Sequence, residues 1–242
     1  INATAYTAVD RAEEEQEKAA LVNHHAVVNI AHICIQLDCW LLHVSSDYVF
    51  DGASKIAYKE DDKTKPQGVY GKTKLSGEIA VQSSGCRHII IRTAWVFSEY
   101  GNNFLKTMLR LGAERNELRV VGDQVGCPTY AQDIAKAIMT ILERLQSKEV
   151  SSCLYHFAGN FCCSWAEFSQ AIFDKALELE VIESKPNVIA ITTKEFPTLA
   201  KRPARSELSS NKIGSTLGIN PSDCMLGIRS SLMAIKTEHI IK

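Results

Sequence analysis

The chain alternates between short apolar runs and longer segments in which apolar residues recur at helical spacing. Apolar runs predict buried strands at residues 40–45, 88–93, 118–121 and 154–158. Helical spacing predicts helices at residues 10–36, 70–81, 103–114, 129–145, 164–179 and 225–235. Residues 1–3 resemble the end of a further buried strand, 47–66 form a polar loop, and the pattern is irregular beyond 186. This order predicts right-handed crossovers and an α/β fold with a parallel sheet.

Composition narrows the class of protein. The 242 residues are 45% hydrophobic and 23% charged, which is typical of a globular protein with a sizeable core. With 27 basic and 28 acidic side chains, no global field attracts nucleic acid or an anionic membrane, so neither partner is expected. No apolar run reaches the roughly 18 residues that cross a bilayer, and residues 1–10 lack the features of a secretory signal. We therefore expect a cytoplasmic protein.

The 8 cysteines are scattered and include no C-x-x-C pair. This pattern is typical of reduced thiols that pack in a core, and it indicates neither a zinc ribbon nor a disulfide framework.

The candidate chemistry lies around Tyr70 and Lys74, which share one face of a predicted helix because they are four residues apart. A neighbouring ammonium would stabilise a phenolate and lower the pKa of Tyr70 toward a useful range. Ser46 follows the predicted strand 40–45, and ligands of open α/β sheets bind at the carboxyl ends of strands. Its hydroxyl could polarise a carbonyl that Tyr70 protonates. Taken alone, Y-x-x-x-K is more often an exposed helix with a solvated lysine.

Several longer strings resemble the extended short-chain dehydrogenase/reductases, and among them the reductases of dTDP-4-keto sugars. They are NATAYTAVDRAE from Asn2, SDYVF from Ser46, VYGKTKLSGE from Val69, RTAWVF from Arg92, GNNF from Gly101 and DQVGCPT from Asp123. The resemblance implies a Rossmann-like doubly wound parallel sheet with a smaller C-terminal substrate-binding region. Residues 1–125 would form the remainder of the dinucleotide-binding domain, and 126–242 would supply the substrate-binding subdomain and a further crossover helix.

The resemblance also implies an activity and roles for individual residues. NADPH or NADH would reduce the C4 keto group of dTDP-4-dehydro-6-deoxy-L-mannose, with Tyr70 as proton donor and Lys74 on the nicotinamide ribose. Ser46 stands where the family usually has threonine. The residues that would contact the cofactor are Ala5, Tyr6, Thr7 and Val44. Those that would contact the nucleotide sugar are Ser46, Asp47, Trp95 and Arg202.

The glycine-rich turn that holds the pyrophosphate in this family has no counterpart here. The resemblance begins at the family's fourth strand and the chain begins with Ile1, so we expect an N-terminally truncated chain with poor dinucleotide affinity. The cofactor preference, Mg²⁺ dependence and homodimerisation stay open.

Two other functions share this scaffold. One is a noncatalytic regulatory subunit resembling that of methionine adenosyltransferase, which would have no need of the strings at Gly101 and Asp123. The other is a sugar-nucleotide epimerase or dehydratase. A dehydratase usually adds a second acid beside the catalytic hydroxyl, but in this chain Asp47 is followed by Tyr48, so a second acid is not evident.

Overall fold

The computed structural model describes residues 1–146 and 151–240, which group into two compact units. The first unit consists of Ile1–Ala94, Met139–Phe157 and Thr198–Asn220, and the second of Trp95–Ile138, Ala158–Pro197 and Pro221–Lys242. The chain therefore passes repeatedly between the units, whereas the sequence analysis divided it once, after residue 125.

The helices and strands follow the predicted alternation. The helices are α1 Val9–Glu14, α2 Gln16–Ala20, α3 Ala26–Gln36, α4 Val69–Ser83, α5 Phe104–Glu114, α6 Ala131–Gln146, α7 Trp165–Glu178, α8 Asn211–Leu217 and α9 Cys224–Ile240. The strands are β1 Leu41–Ser46, β2 His88–Thr93, β3 Val96–Phe97, β4 Glu117–Val121, β5 Val125–Gly126, β6 Thr129–Tyr130, β7 Cys153–His156, β8 Cys163–Ser164 and β9 Asn187–Ile191. In the described ranges, none of the helices is both long and apolar enough to cross a membrane.

The first unit contains a parallel sheet in the order β1-β2-β7. Asn2 adds a parallel bridge to His43 of β1, as the apolar start of the chain indicated. The strands β1 and β2 are buried along most of their length, which is why apolar residues occur at consecutive positions in each rather than alternating with polar ones. The prediction of a parallel α/β sheet is confirmed.

The predicted long helix over residues 10–36 is interrupted. It consists of α1, α2, a π-helical segment at Leu21–His25 and α3. The π-helical segment carries the buried Asn23, whose side-chain oxygen accepts from the Tyr6 amide at 2.8 Å and whose amide donates to Thr73 Oγ1 at 3.1 Å. A polar side chain used in tertiary contacts thus accompanies the irregular turn.

The second unit is organised around small sheets and an apolar cluster. The strand β4 pairs in parallel with β9, while β3 pairs with β6 and β5 pairs with β8. A capping box begins α7, since Ser164 and Glu167 accept reciprocally from each other's backbone amides, as their spacing predicted. The strand β9 and the two-residue strands have no counterpart among the sequence predictions, because β9 is mostly exposed and the others are too short to show a period.

The prediction that all cysteines are reduced packing thiols is wrong for one pair. Cys127 and Cys162 form a disulfide across the end of the antiparallel β5/β8 pair, where the register Gly126 to Cys163 brings the next two residues together. Pairing of this kind depends on tertiary structure, and the 35-residue separation carries no local signal. The remaining cysteines are free, and most of them are buried.

Candidate active site

The helix α4 presents Tyr70 in its first turn, close to the carboxyl end of β1. The N-terminus of α4 receives no cap from Gly68, but Glu13 of α1 accepts from the Val69 amide at 2.8 Å. This carboxylate satisfies one of the free amides of the first turn and interacts favourably with the helix dipole. Gly71 permits a close approach, since a Cβ at this position would lie 2.2 Å from the carbonyl oxygen of Tyr48. Together these contacts hold the first turn of α4 against the turn that follows β1.

Tyr70 and Ser46 face each other. Burial raises the pKa of Tyr70 to about 12, and the charge of Asp47 acts in the same direction, whereas an interaction with the Ser46 side chain lowers this pKa. Ser46 is buried, donates to Asp47 Oδ1 at 3.0 Å and accepts from the Tyr48 amide at 3.2 Å. A phenol and a hydroxyl therefore meet at the end of a parallel strand, as the sequence analysis predicted, and both can donate to one acceptor.

Lys74 lies one turn further along α4 and is only 2% exposed. Its ammonium donates to the Val44 carbonyl oxygen at 2.7 Å. Burial lowers the pKa of Lys74 to about 8, against an opposing effect of Glu78. Lys74 is not among the groups that shift the pKa of Tyr70, so the lowering predicted from the Tyr–Lys spacing is not found, because burial dominates. An ammonium has three donors, and the contact with Val44 uses one of them.

Asp47 and Thr93 supply unsatisfied polar atoms beside Ser46. The Oδ2 atom of Asp47 and the Oγ1 atom of Thr93 are buried and have no hydrogen-bond partner among the described residues. Ser46 and Thr93 are register partners of β1 and β2, and Asp47 follows Ser46 directly. Burial raises the pKa of Asp47 to about 6, while contacts with Ser206 and Ser46 lower it. Buried polar atoms without partners are costly, and a polar ligand at this edge would satisfy them.

The residues expected along the cofactor lie at the same edge of the sheet, with Tyr6 directed elsewhere. Tyr6 donates its hydroxyl to Glu15 at 2.7 Å, and its backbone is bound to Asn23. Ala5 is half-buried, Thr7 is exposed, and Val44 offers its carbonyl oxygen to Lys74. Backbone atoms of this stretch, rather than the Tyr6 ring, thus remain candidates for cofactor contact.

Arg202 binds Asp10 rather than projecting freely. Its guanidinium donates to both carboxylate oxygens of Asp10, at 3.1 and 2.6 Å, and Asp10 also accepts from the Ala200 amide. The hydrogen bond from Arg202 lowers the pKa of Asp10. Arg202 also lies near Tyr48, whose ring packs edge-on against Tyr70 with centroids 5.3 Å apart. The sequence analysis missed Tyr48, although its position after Ser46 and Asp47 gave a signal.

Trp95 belongs to the second unit, where its ring stacks on Trp165 at 3.4 Å between centroids. A Cβ at Gly126 would lie 2.4 Å from the Trp95 ring, so the indole rests directly on glycine backbone. The backbone of Trp95 is left-handed, with φ of 47°. This conformation is rare for a bulky residue, and such outliers cluster at functional sites.

The structure gives no support to a metal centre. Across residues 1–146 and 151–240, no three or more His, Cys, Asp or Glu side chains form a group that could hold a metal ion. A nicotinamide cofactor is a better match, because the buried Lys74 ammonium has donors left for ribose hydroxyls and the unpaired atoms of Asp47 and Thr93 suit a sugar.

A parallel α/β sheet with a serine at the carboxyl end of one strand, and a tyrosine and a lysine four residues apart on the helix beside it, is the arrangement of the short-chain dehydrogenase/reductases. More narrowly, the chain belongs to the RmlD substrate binding domain family, whose model matches residues 1–236.

Several relatives with similar sequences are named dTDP-4-dehydrorhamnose reductase. The dTDP-4-dehydrorhamnose reductase of Aggregatibacter actinomycetemcomitans is 48% identical over 231 residues, which cover 95% of this chain and 79% of that protein. The reductase of the same name from Salmonella typhimurium is 38% identical over 241 residues, covering 100% of this chain and 81% of that protein.

Solved structures that resemble this chain include proteins of the same name. The dTDP-4-dehydrorhamnose reductase of Bacillus anthracis, solved in complex with NADP, superimposes with a TM-score of 0.85 at 34% identity, covering 98% of this chain and 79% of that one. The dTDP-glucose 4,6-dehydratase DesIV of Streptomyces venezuelae is 17% identical with a TM-score of 0.77, covering 98% of this chain and 73% of that one, which shows a shared fold alone.

Proposed function

We propose that this protein is an NADPH-dependent oxidoreductase that reduces the C4 keto group of dTDP-4-dehydro-6-deoxy-L-mannose to give dTDP-L-rhamnose. The observation that carries the proposal is the meeting of Tyr70 with Ser46 at the end of β1, with the buried Lys74 one helical turn away. The name shared by relatives up to 48% identical supports the substrate, and the NADP in the Bacillus anthracis structure supports the cofactor.

The chain's own residues have separable tasks. The cofactor supplies hydride when bound, and Lys74, Val44 and the backbone of residues 5–7 would hold it. Ser46 donates to the substrate carbonyl and Tyr70 transfers its proton to that oxygen as negative charge develops there. With its pKa raised to about 12, Tyr70 stays protonated at neutral pH, as an ordinary tyrosine does, so the phenol is in the form that reduction requires. Asp47 and Arg202 would contact the sugar nucleotide, and Trp95 remains a predicted substrate contact.

The test compares Tyr70→Phe with Tyr100→Phe in a form of the protein that includes the glycine-rich turn of the family and binds NADPH. Tyr100 is 72% exposed and provides the same loss of a hydroxyl at a residue that is not among the predicted site residues. Removing a general acid costs roughly 10²- to 10⁴-fold in turnover, so we expect that loss in Y70F with a nearly unchanged Kd for NADPH. Near-normal sugar reduction by Y70F would remove Tyr70 from the mechanism.

Product analysis separates the proposed reaction from the alternatives. The dehydratase-like structures share only the fold with this chain, and Asp47 is a single carboxylate beside Ser46. Stoichiometric oxidation of NADPH with formation of a 4-hydroxy sugar supports the reductase. A product formed by loss of water or by inversion, without net NADPH consumption, would instead support a dehydratase or an epimerase.

A further inference from the structure

A buried ion pair lies directly behind the candidate catalytic residues. Glu78 of α4 is 1% exposed and Arg92 of β2 is 4% exposed. Arg92 donates from Nε to Oε1 of Glu78 at 2.9 Å and from Nη2 to Oε2 at 2.7 Å. Ser45 of β1 donates to the same carboxylate at 2.5 Å, and His156 of β7 accepts from Arg92 at 3.4 Å. One carboxylate therefore connects α4 to two strands.

Three members of this network are close in sequence to residues of the site. Ser45 precedes Ser46, Arg92 precedes Thr93, and Glu78 follows Lys74 by one helical turn and Tyr70 by two. Residues spaced by four on a helix share a face, so Tyr70, Lys74 and Glu78 form one row on α4. The two-pronged contact between Glu78 and Arg92 restricts both sliding of α4 along its axis and rotation of α4 about it.

Stability alone does not account for the pair. Removing two charges from water is costly, and well-packed apolar residues often replace a buried ion pair at no loss of stability. What an apolar replacement could not provide is a negative charge beside the ammonium of Lys74.

The surroundings of Lys74 make Glu78 its main electrostatic partner. Titratable groups on the elements packed against α4 include Glu13 on α1, which accepts from the Val69 amide, His43 on β1, which interacts with Lys74, and Arg92 on β2, which is bound to Glu78. Burial lowers the pKa of His43 to about 3, so this ring is neutral and does not stabilise a cation. Asp47, in the turn after β1, acts on Tyr70. Glu78 raises the pKa of Lys74 against the effect of burial.

We propose that Glu78, held by Arg92 and Ser45, is a positioning residue that keeps Lys74 charged and aligned with Tyr70 for the reaction. The proposal rests on the proposed function. It assigns to Glu78 an effect exerted through Lys74 and no contact with the substrate.

Three variants test it. Glu78→Gln removes the charge and keeps the shape, while the double variant E78L/R92M replaces the whole pair with apolar side chains. Glu114→Gln is the matched control, because Glu114 pairs with Arg110 on the exposed surface. The ionisation of Lys74 is followed by NMR of ¹³C-labelled lysine in the protein without added ligand, with the signal assigned by its absence from K74R.

In E78Q we expect the titration midpoint of Lys74 to fall by about one pH unit, and turnover at pH 8 to fall roughly fivefold with a smaller change in KM. E78L/R92M should regain the unfolding free energy lost in E78Q and still show the lowered midpoint and turnover. E114Q should change neither quantity.

Wild-type turnover together with an unshifted Lys74 midpoint in E78L/R92M would show that the pair is merely structural and would overturn the proposal. If E78Q does not fold, the double variant decides the question. Failure of the proposed function would appear as an absence of sugar reduction by the wild-type protein. The Lys74 titration does not depend on that activity, so it still tests the effect of Glu78 on Lys74.

Discussion

Gly71 controls how closely α4 approaches the turn that carries Asp47 and Tyr48. A Cβ at Gly71 would lie 2.2 Å from the carbonyl oxygen of Tyr48 and 3.0 Å from Cβ of Pro66. Non-bonded heavy atoms repel steeply below about 3 Å, so Gly71→Ala must move the helix away from the turn by about 1 Å. Because Tyr70 is the preceding residue, the same movement separates its hydroxyl from Ser46.

The magnitude follows from two opposing effects. Alanine is about 1 kcal/mol better than glycine inside a helix, whereas overpacking of a tight contact costs about 1 to 3 kcal/mol. Gly214→Ala in α8 is the matched control, because a Cβ there would meet only the Ile219 carbonyl oxygen at 3.5 Å, an ordinary contact. We expect G214A to gain up to about 1 kcal/mol, and G71A to be about 2 kcal/mol less stable than G214A.

Urea denaturation followed by circular dichroism measures the unfolding free energy of both variants, and sugar reduction measures the effect on the site. G71A should lose at least tenfold in turnover, since a displacement of about 1 Å at a reacting group can cost about 100-fold. G214A should keep wild-type turnover. Equal stability and equal turnover of the two variants would refute the argument that α4 is held at the site by backbone contact.

Two further predictions concern pH and the loop that carries Arg202. Burial lowers the pKa of both His43 and His156 to about 3. The stability that each contributes is therefore present above its unfolded pKa of about 6.5 and is lost as the pH falls toward 3. At pH 5 the loss amounts to about 2 kcal/mol per histidine. The pKa of Asp47 is raised to about 6, so this carboxyl opposes the loss with about 1 kcal/mol over the same pH range. The urea midpoint should therefore fall between pH 7 and pH 5, and it should fall less in H156N. A flat pH profile for the wild-type protein would contradict these pKa values. Arg202→Lys loses the two-pronged contact with Asp10. This variant should raise the KM for the sugar nucleotide about tenfold with little change in kcat. An unchanged KM would limit Arg202 to a structural role.

The sheet of the first unit was predictable because its strands are buried on both faces. Consecutive apolar residues in β1 and β2 stand out from any helical period, and the structure places both strands within one residue of the prediction. The strand β9 carries no such signal, since four of its five residues are at least partly exposed. Its pairing with β4 depends on the tertiary structure of the second unit, as does the disulfide between Cys127 and Cys162.

The candidate site was predictable as a set of residues but not as an electrostatic environment. The spacing of Tyr70 and Lys74 correctly indicates one helix face, and the end of β1 correctly locates Ser46. The partners of Lys74 lie on another element, at Val44, or four residues further along, at Glu78, for which the string VYGKTKLSGE indicated no role. Long-range pairs of this kind become visible only when the strands and α4 are in place.

The pKa of Tyr70 shows why spacing alone misled. Neighbouring positions say which groups can meet, whereas the pKa also depends on how much water each group loses, and that loss is set by the whole fold. Burial raises the pKa of Tyr70 to about 12 and lowers that of Lys74 to about 8, so both groups are shifted toward their neutral forms. Hydride transfer to a ketone leaves negative charge on oxygen, which needs a protonated donor and gains from a nearby cation. At neutral pH the phenol still carries its proton and the ammonium is still charged. Burial therefore raises the pKa of Tyr70, opposite to the sequence prediction, and still leaves the pair in the protonation states that reduction requires.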